Sequence, residues 1–282
     1  MNQGKFFSGG VPETPIDRPV IEKAIVQDKT SFLQIKTHPW LSIASFIIIL
    51  LLWEMVSQME WIPPLFLPAP SGILSEGWTM LKTGLIFKHV FASLSRILWG
   101  FSIACILGVV VGILIGFFSI PEAIGNPLIA ATFPIPKIAI LPLLILWLGI
   151  GEPSKIAVIA LGVFFPMTIN VYTGVKNVDP LLIKAALSLG SNRARIIRKV
   201  ILPGILPMIF AGMKLGIGIA LLLVVAAEMV AADAGIGFMI LTAADLMQTK
   251  KLMVGLILLS LLGILFNWLF QKLEHIFIPW KQ

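Results

Sequence analysis

The chain has 282 residues, of which 58% are hydrophobic and 12% are charged, and its formal net charge is +7. An ordinary soluble domain has about 25% charged and about 45–50% apolar residues, so this composition excludes a soluble globular protein. The basic surplus does not indicate nucleic-acid binding, because its largest cluster lies between two membrane-length segments instead of on a soluble recognition element.

Six apolar segments predict an all-α, polytopic membrane protein with six transmembrane helices. Residues 97–121, 156–175 and 252–271 contain no Asp, Glu, Lys or Arg, and a helix needs about 20 apolar residues to cross a bilayer. The polar residues 1–39 lack the apolar core of a cleaved signal peptide. We expect them to form an N-terminal tail that precedes a transmembrane domain at 40–282. The predicted spans are 40–57, 89–118, 124–149, 155–173, 204–231 and 252–273.

A proline-rich loop separates the first two predicted spans. Ser71 follows its last proline, Pro70, and is a possible N-cap. The pattern predicts a short helix from Ser71 through Leu81.

Glycines recur every four residues in two of the predicted spans, at 108, 112 and 116 and again at 212 and 216. Such faces allow helices to approach closely. We expect them to pack within one subunit in preference to forming a dimer seam.

The third predicted span carries Pro134, Pro136 and Pro142 beside Lys137. Prolines break helix continuity, and a break is tolerated in a membrane only where protein or water satisfies the freed backbone groups. We therefore predict a bend that lines the lumen. Lys137 either adds positive potential for an anionic solute or reaches toward lipid headgroups.

Two charged residues, Lys214 and Glu228, lie in the fifth predicted span. They are about 21 Å apart along a helix, too far to pair directly. Lys214 is expected to extend toward the nearer membrane surface. Glu228 either closes a gate or bonds a backbone group of the neighbouring copy, or it is a structural carboxylate at an interface with water, which we favour. The candidate translocation-pathway residues are Pro134, Pro136, Lys137 and Glu228.

The distribution of basic residues predicts the orientation. The two terminal tails and the loops 119–123 and 174–203, which lie on one side of the membrane, contain 13 Lys and Arg in all. The loops on the other side contain 5. Basic residues concentrate on the cytoplasmic side of membrane proteins. Both termini and the segment 174–203 are therefore predicted to be cytoplasmic.

The segment 179–203 has the signature of a helical hairpin outside the bilayer. Asp179 and Pro180 suit the start of a helix, and Gly190 suits a left-handed end. A second, basic amphipathic stretch follows until Pro203, where we expect it to stop. On this pattern alone, the favoured explanation is a pair of interfacial helices that touch anionic lipid.

The residues of this hairpin resemble a known motif. Lys184-Ala185-Ala186, Gly190, Val200 and Leu202-Pro203 match the spacing of the EAA loop of ABC importer permeases, with Lys184 in place of the usual glutamate and Val200 in place of isoleucine. Further stretches resemble landmarks of the nitrate, sulfonate and taurine branch of these permeases: Phe66-Leu67-Pro68-Ala69-Pro70-Ser71, Ser95-Arg96, Pro134-Ile135-Pro136-Lys137, Leu146-Trp147-Leu148-Gly149-Ile150-Gly151-Glu152, Ser154-Lys155 and Ala226-Ala227-Glu228.

The resemblance implies a type I importer permease fold in the bacterial inner membrane. It implies two permease copies, two cytoplasmic ATPases and an extracytoplasmic substrate-binding protein, with the EAA loop as the coupling helix that docks on the ATPase. The residues carried over to this coupling role are Asp179, Lys184, Ala185, Ala186, Gly190, Arg193, Arg195, Leu202 and Pro203.

Motifs of nucleotide, metal and catalytic chemistry are missing from the sequence. There is no G-x-x-x-x-G-K-[ST] loop, so ATP and magnesium are expected on a partner ATPase. One cysteine and three scattered histidines leave no metal-site spacing. No nucleophile, base and orienting residue occur together, so we expect a transport subunit, not an enzyme.

The leading hypothesis is the permease subunit of an ATP-driven importer for a small anion such as a sulfonate, taurine, nitrate or bicarbonate. Two alternatives stay open. One is a secondary transporter driven by an ion gradient, although such proteins are expected to carry carboxylates at mid-membrane. The other is a permease of the same type that serves a neutral or heterocyclic nutrient, such as a thiamine pyrimidine precursor.

Overall fold

The computed structural model describes residues 39–279. Residues 1–38, which make up nearly all of the predicted N-terminal tail, and residues 280–282 lie outside the described part. Every regular element within the described part is helical, which confirms the all-α prediction. The helices are α1 (Pro39–Gln58), α2 (Pro70–Lys82), α3 (Leu85–Phe117), α4 (Ser119–Thr132), α5 (Leu141–Leu148), α6 (Glu152–Lys176), α7 (Pro180–Ser188), α8 (Arg193–Ile196), α9 (Leu202–Ala231), α10 (Ile236–Asp245) and α11 (Thr249–Phe277).

Four segments of the described chain are long and apolar enough to cross a membrane: α3, α6, the continuous helix from α8 through α9, and α11. The pair α4 and α5 forms a fifth crossing if it is counted as one broken span. The described apolar stretch of α1, Ile43–Gln58, is shorter than these. The described residues up to Leu52 belong to a separate unit, and the description below concerns the compact unit from Trp53 onward.

Helix α6 lies at the centre of this unit, between the glycine-bearing faces of α3 and α9. A Cβ atom added at Gly112 or Gly116 would lie 2.7 or 2.6 Å from the Cβ atoms of Val171 and Val175 on α6. A Cβ atom at Gly216 would lie 2.8 Å from Val163. The glycines therefore let three spans of one subunit approach closely, as the sequence predicted.

The third predicted span contains the bend that its prolines predicted. Helix α4 and the segment Lys137–Leu148 meet at 89°. The ammonium of Lys137 donates hydrogen bonds to the carbonyls of Thr132, Phe133 and Ile135, at 2.7, 3.2 and 2.9 Å, and lies 4.4 Å from the ring centre of Phe165. Lys137 thus satisfies backbone acceptors that the end of α4 leaves free.

The expected stop at Pro203 is wrong. The chain is helical from Arg193 to Ala231, with a π-helical turn at Ile197–Ile201 directly before α9. Proline has no N–H to donate and its ring crowds the carbonyl four residues earlier. The wider π turn accommodates the missing N–H and the proline ring because its hydrogen-bond pattern is already irregular. The helix therefore continues through Pro203.

The predicted short helix between the first two spans is confirmed, but its cap is not Ser71. Helix α2 begins at Pro70, and the carboxylate of Glu54 accepts hydrogen bonds from the backbone N–H of Ser71, at 3.0 Å, and from its hydroxyl, at 2.7 Å. A carboxylate is well placed at a helix N-terminus, where the N–H groups and the helix dipole both favour negative charge.

Candidate functional site

The predicted coupling helix is α7, and both of its ends are closed by hydrogen bonds. Asp179 caps the start, where its Oδ1 accepts a hydrogen bond from the N–H of Leu181 at 2.8 Å. At the other end, Gly190 has φ +72°, and the N–H groups of Gly190 and Ser191 donate to the carbonyls of Leu187 and Ala186. This is a Schellman ending, and it fixes α7 as a short, well-defined rod.

The two faces of α7 differ sharply. Ile183 and Ala186 pack against an apolar cluster that contains Ile196 and Ile205. The rest of the helix surface is exposed and carries three leucines, and Leu189, which directly follows the helix, is 85% exposed. We call this surface, with Leu181, Leu182, Leu187 and Leu189, the exposed face of α7. Exposed apolar patches of this kind mark interaction surfaces.

The other predicted coupling residues lie around this helix. Lys184 and Ala185 are exposed on α7, and Arg193 and Arg195 are exposed on α8. The side chain of Asn192 caps α8 by accepting a hydrogen bond from the N–H of Arg195 at 2.9 Å, a role that sequence analysis missed although Asn is a favoured capping residue. Leu202 and Pro203 form the first turn of α9.

A second cluster of polar side chains lies at the opposite end of the bundle, which is the predicted outer side. Arg96 of α3 is at its centre and is almost fully buried. Its Nε and Nη2 donate to both oxygens of Glu152 on α6, at 2.6 and 2.7 Å, and its Nη1 donates to Glu228 on α9, at 2.7 Å. We call Ser93, Arg96, Glu152, Lys155 and Glu228 the buried charge cluster; Glu152, whose side chain is 54% exposed, forms its outer edge. It joins three spans through charge-assisted, partly bidentate hydrogen bonds.

Glu228 is 0% exposed, and its carboxylate is held by protein groups. Besides Arg96, it accepts hydrogen bonds from the hydroxyl of Ser93, at 2.8 and 2.9 Å, and from the N–H of Gly237, at 2.8 Å. A buried carboxylate is stable only when it is paired and hydrogen-bonded in this way.

The cluster also fixes the start of α10, a helix that the sequence analysis did not predict. The N–H groups of Gly235, Ile236 and Gly237 donate to His89 Nδ1, Ser93 Oγ and Glu228 respectively. Gly235 has φ +135°, and a Cβ atom there would lie 2.3 Å from the carboxyl carbon of Glu228. Only glycine fits this turn, because both the backbone angle and the close carboxylate exclude a side chain.

Lys155 binds the C-terminal end of α9. Its ammonium donates to the carbonyl of Ala231 at 2.9 Å and lies 3.4 Å from Glu152. The carbonyl of Ala234 in turn accepts a hydrogen bond from Arg96 at 2.6 Å. The last turn of α9 and the link to α10 are thus tied to α3 and α6 by side chains of this cluster.

The structure separates the candidate pathway residues into two places. Pro134, Pro136 and Lys137 lie together at the bend after α4, where both prolines are exposed in the single chain. Glu228 lies in the buried charge cluster, bonded within its own chain. Lys214 forms an ion pair with Glu274 of α11, a partner that the sequence analysis did not identify.

Comparison with known proteins agrees with this architecture. Residues 108–277 match the family model of the binding-protein-dependent transport system inner membrane component. The taurine transport system permease protein of Escherichia coli (strain K12) is 36% identical over 245 residues, which cover 85% of this chain and 89% of that protein. A putative aliphatic sulfonates transport permease protein of Bacillus subtilis (strain 168) is 35% identical over 234 residues, covering 83% and 85%.

A solved structure confirms the predicted type I permease fold. A chain of the MetNI methionine ABC transporter, in an inward-facing conformation, matches with a TM-score of 0.57 and 21% identity, over 68% of this chain and 96% of that one. The matched relatives are permease proteins, which are transport subunits and not enzymes. The chain belongs to the family of binding-protein-dependent transport system inner membrane components, as a multi-pass ABC importer permease that groups with those of taurine and sulfonate systems.

Proposed function

We propose that this chain carries a small solute with an anionic sulfonate group, such as taurine, across the bacterial inner membrane. An extracytoplasmic binding protein delivers the solute, and two separate ATPase subunits, which bind ATP and magnesium, drive two permease copies between outward-open and inward-open states. Both termini and α7 face the cytoplasm, in agreement with the excess of basic residues on that side.

The observation that carries the coupling role is the exposed apolar face of α7. Three exposed leucines lie on α7 and a fourth, Leu189, directly follows it. Because Asp179 and the turn at Gly190 fix both ends of the helix, these side chains present a preformed surface for a groove in a partner. The arginines of α8, Arg193 and Arg195, border the same surface and add positive charge to its rim. Lipid contact alone does not require both helix ends to be fixed so closely.

The assignment of an anionic solute is supported by two features. The relatives that match most of the chain are permeases of taurine and aliphatic sulfonate systems. The bend that interrupts the α4–α5 span carries Lys137, a cation within a broken membrane span. Membrane-embedded charges beside irregular backbone are typical of translocation pathways.

The test is reconstitution. The permease is co-purified with its cognate ATPase and binding protein, and the complex is placed in proteoliposomes with ATP on the ATPase side. Uptake of radiolabelled taurine is measured with and without ATP, and with unlabelled ethanesulfonate, nitrate, bicarbonate or a thiamine pyrimidine precursor as competitor. We expect uptake that requires ATP and the binding protein and that ethanesulfonate suppresses.

Three results would contradict parts of this proposal. Suppression by the pyrimidine but not by ethanesulfonate would replace the substrate class and leave the importer mechanism. Uptake that depends on ATP but not on the binding protein would remove the delivery step. Uptake by the permease alone under an ion gradient, without ATP, would instead support a secondary transporter.

A further inference from the structure

Four polar side chains connect the start of α4 with the end of α6, at the predicted cytoplasmic end of the bundle. Lys176 donates to Glu122 Oε2 at 2.6 Å, and the hydroxyl of Tyr172 donates to Glu122 Oε1 at 3.2 Å. The amide of Asn126 donates to the Tyr172 oxygen at 3.1 Å. We call Glu122, Asn126, Tyr172 and Lys176 the polar clamp. Two turns of α4 are thereby tied to two turns of α6.

Helix α4 has little other anchorage within the chain. None of its residues is buried in the described structure. It follows α3 after a single residue, Phe118, and its Gly125 lies against Ile115, where a Cβ atom would be 2.5 Å away. The clamp holds the first turns of α4 against α6, whereas the end of α4 meets α6 through Phe133, whose ring centre lies 6.5 Å from that of Phe165. Since α4 leads directly into the 89° bend with Pro134, Pro136 and Lys137, its position contributes to the position of the bend.

The other side of the clamp is directly connected to α7. Lys176 is the last residue of α6, and only Asn177, Val178 and Asp179 separate it from α7. These linking residues are ordered by hydrogen bonds from Asn177 N–H to Thr173 and Gly174 and from Val178 N–H to Val175, and the Val178 side chain is buried. A displacement of α7 is therefore passed to the end of α6 with little slack.

From this geometry we propose that the polar clamp transmits movement of the coupling helix to the broken span. Its residues position α4 without contacting ATP, the ATPase or the solute. The proposal rests on the proposed function, because it requires α7 to be driven by an ATPase. When the ATPases move α7, the end of α6 pulls on Glu122 and Asn126, and α4 moves the bend that follows it.

The partial exposure of the clamp suits this role. The side chains of Lys176 and Glu122 are 41% and 31% exposed, so water replaces a contact that is broken during the cycle. An exposed ion pair contributes little to the stability of a fold. Loss of the clamp should therefore impair positioning while the subunit stays folded.

The experiment compares uptake with ATP hydrolysis in the same proteoliposomes. Glu122→Gln and Lys176→Met each remove one charge of the clamp, and Tyr172→Phe removes only its central hydroxyl. For the charge variants we expect taurine taken up per ATP hydrolysed to fall about fivefold, with ATP hydrolysis itself nearly unchanged. The exchanged pair Glu122→Lys with Lys176→Glu restores the ion pair with reversed charges and should recover most of the loss. If the loss persists in the exchanged pair, attraction between these two side chains is not what couples uptake to hydrolysis.

The matched control is Lys214→Met. Lys214 and Glu274 form another partly exposed Lys–Glu pair between two spans, α9 and α11, away from the connection between α7 and α4. This variant should leave uptake per ATP unchanged. If it lowers the ratio as much as Lys176→Met does, the clamp has no special role and the proposal is overturned.

The remaining outcomes are also decisive. If the charge variants fail to assemble with the ATPase, Tyr172→Phe decides: a lowered ratio supports the clamp and an unchanged ratio overturns it. If the wild-type complex takes up taurine in an ATP-dependent way and the clamp variants show the same uptake per ATP, the role of the clamp is overturned and the proposed function stands. A wild-type complex without ATP-dependent uptake overturns the proposed function and the clamp with it.

Discussion

The buried charge cluster and the exposed face of α7 lie at opposite ends of the same bundle and are built in opposite ways. Arg96 and Glu228 are buried, and both are held by hydrogen bonds to groups of the same chain. The leucines at α7 have exposed side chains, and hydrogen bonds fix only the backbone that carries them. One end is complete within the chain, whereas the other presents a surface that a partner can cover.

This difference indicates what each end tolerates. Breaking a buried ion pair leaves a charge without compensation in an apolar interior, which costs far more than loss of a surface contact. The cluster therefore makes the junction of α3, α6, α9 and α10 rigid. The opposite end keeps its polar contacts near the surface, where they break and form again at low cost, as movement between two states requires.

The largest effect on stability is expected from Arg96→Met. It keeps much of the side-chain volume but leaves Glu228 buried without its cation, at a cost of about 3–5 kcal/mol. That is a large part of the about 5–15 kcal/mol that separates folded from unfolded domains. Thermal unfolding and size-exclusion chromatography in detergent should show a strongly destabilised or aggregated protein.

The control for this variant is Arg198→Met, the same substitution at an exposed arginine of the π-helical turn. It should change the free energy of unfolding by no more than about 0.5 kcal/mol. Equal stability of the two variants would mean that the cluster does not hold the spans together, and the contrast between the two ends would be lost.

An intermediate effect is expected from Gly190→Val. Gly190 has φ +72°, and a Cβ atom there would meet nothing within 4 Å, so backbone strain alone opposes a side chain. A left-handed conformation costs about 1–2 kcal/mol for an L-residue. The strain should disturb the end of α7 and lower ATP-dependent uptake, while membrane insertion, followed by the amount of protein in the membrane fraction, stays unchanged.

Gly190→Asn separates strain from size, because asparagine tolerates the left-handed region. It should retain more uptake than the valine variant, although both add a side chain. If the two variants lose uptake equally, the left-handed turn is not what α7 requires at this position.

Much of the fold was predictable from the sequence because long charge-free stretches define membrane helices. The predicted ends of the second and fifth spans, at 118 and 231, lie within one residue of the observed ends at Phe117 and Ala231. Local capping chemistry likewise predicted Asp179 and Gly190 correctly. These features depend on neighbouring residues, which sequence reasoning reads directly.

The buried charge cluster was not predictable as a unit. Arg96 is 56 residues from Glu152 and 132 residues from Glu228, and only the packing of α3 against α6 and α9 brings them together. Each of the three belongs to one of the family-like stretches, so a signal was present, but it did not say which stretches meet. The partners of Glu228 were not identified for this reason, and Asn192 and α10 were missed because their signals are short.

The smallest effect on stability, with a clear effect on assembly, is expected from Leu189→Ser. Leu189 is 85% exposed, so its replacement should change the free energy of unfolding by no more than about 0.5 kcal/mol. If the leucine fills a pocket of the ATPase, its loss should weaken binding about tenfold, equivalent to about 1.4 kcal/mol. Titration of the purified ATPase onto the permease in nanodiscs measures this affinity.

Ile183→Ser gives the opposite pattern, because Ile183 packs inward against the cluster that contains Ile196 and Ile205. It should lower thermal stability. It should weaken ATPase binding only in the fraction of molecules in which the hairpin is unfolded. If Leu189→Ser instead reduces stability and leaves ATPase affinity intact, the exposed face of α7 is covered by something other than the ATPase. That result is expected if the exposed face of α7 contacts lipid. Both ends of the bundle would then stabilise the fold, and neither would bind the ATPase.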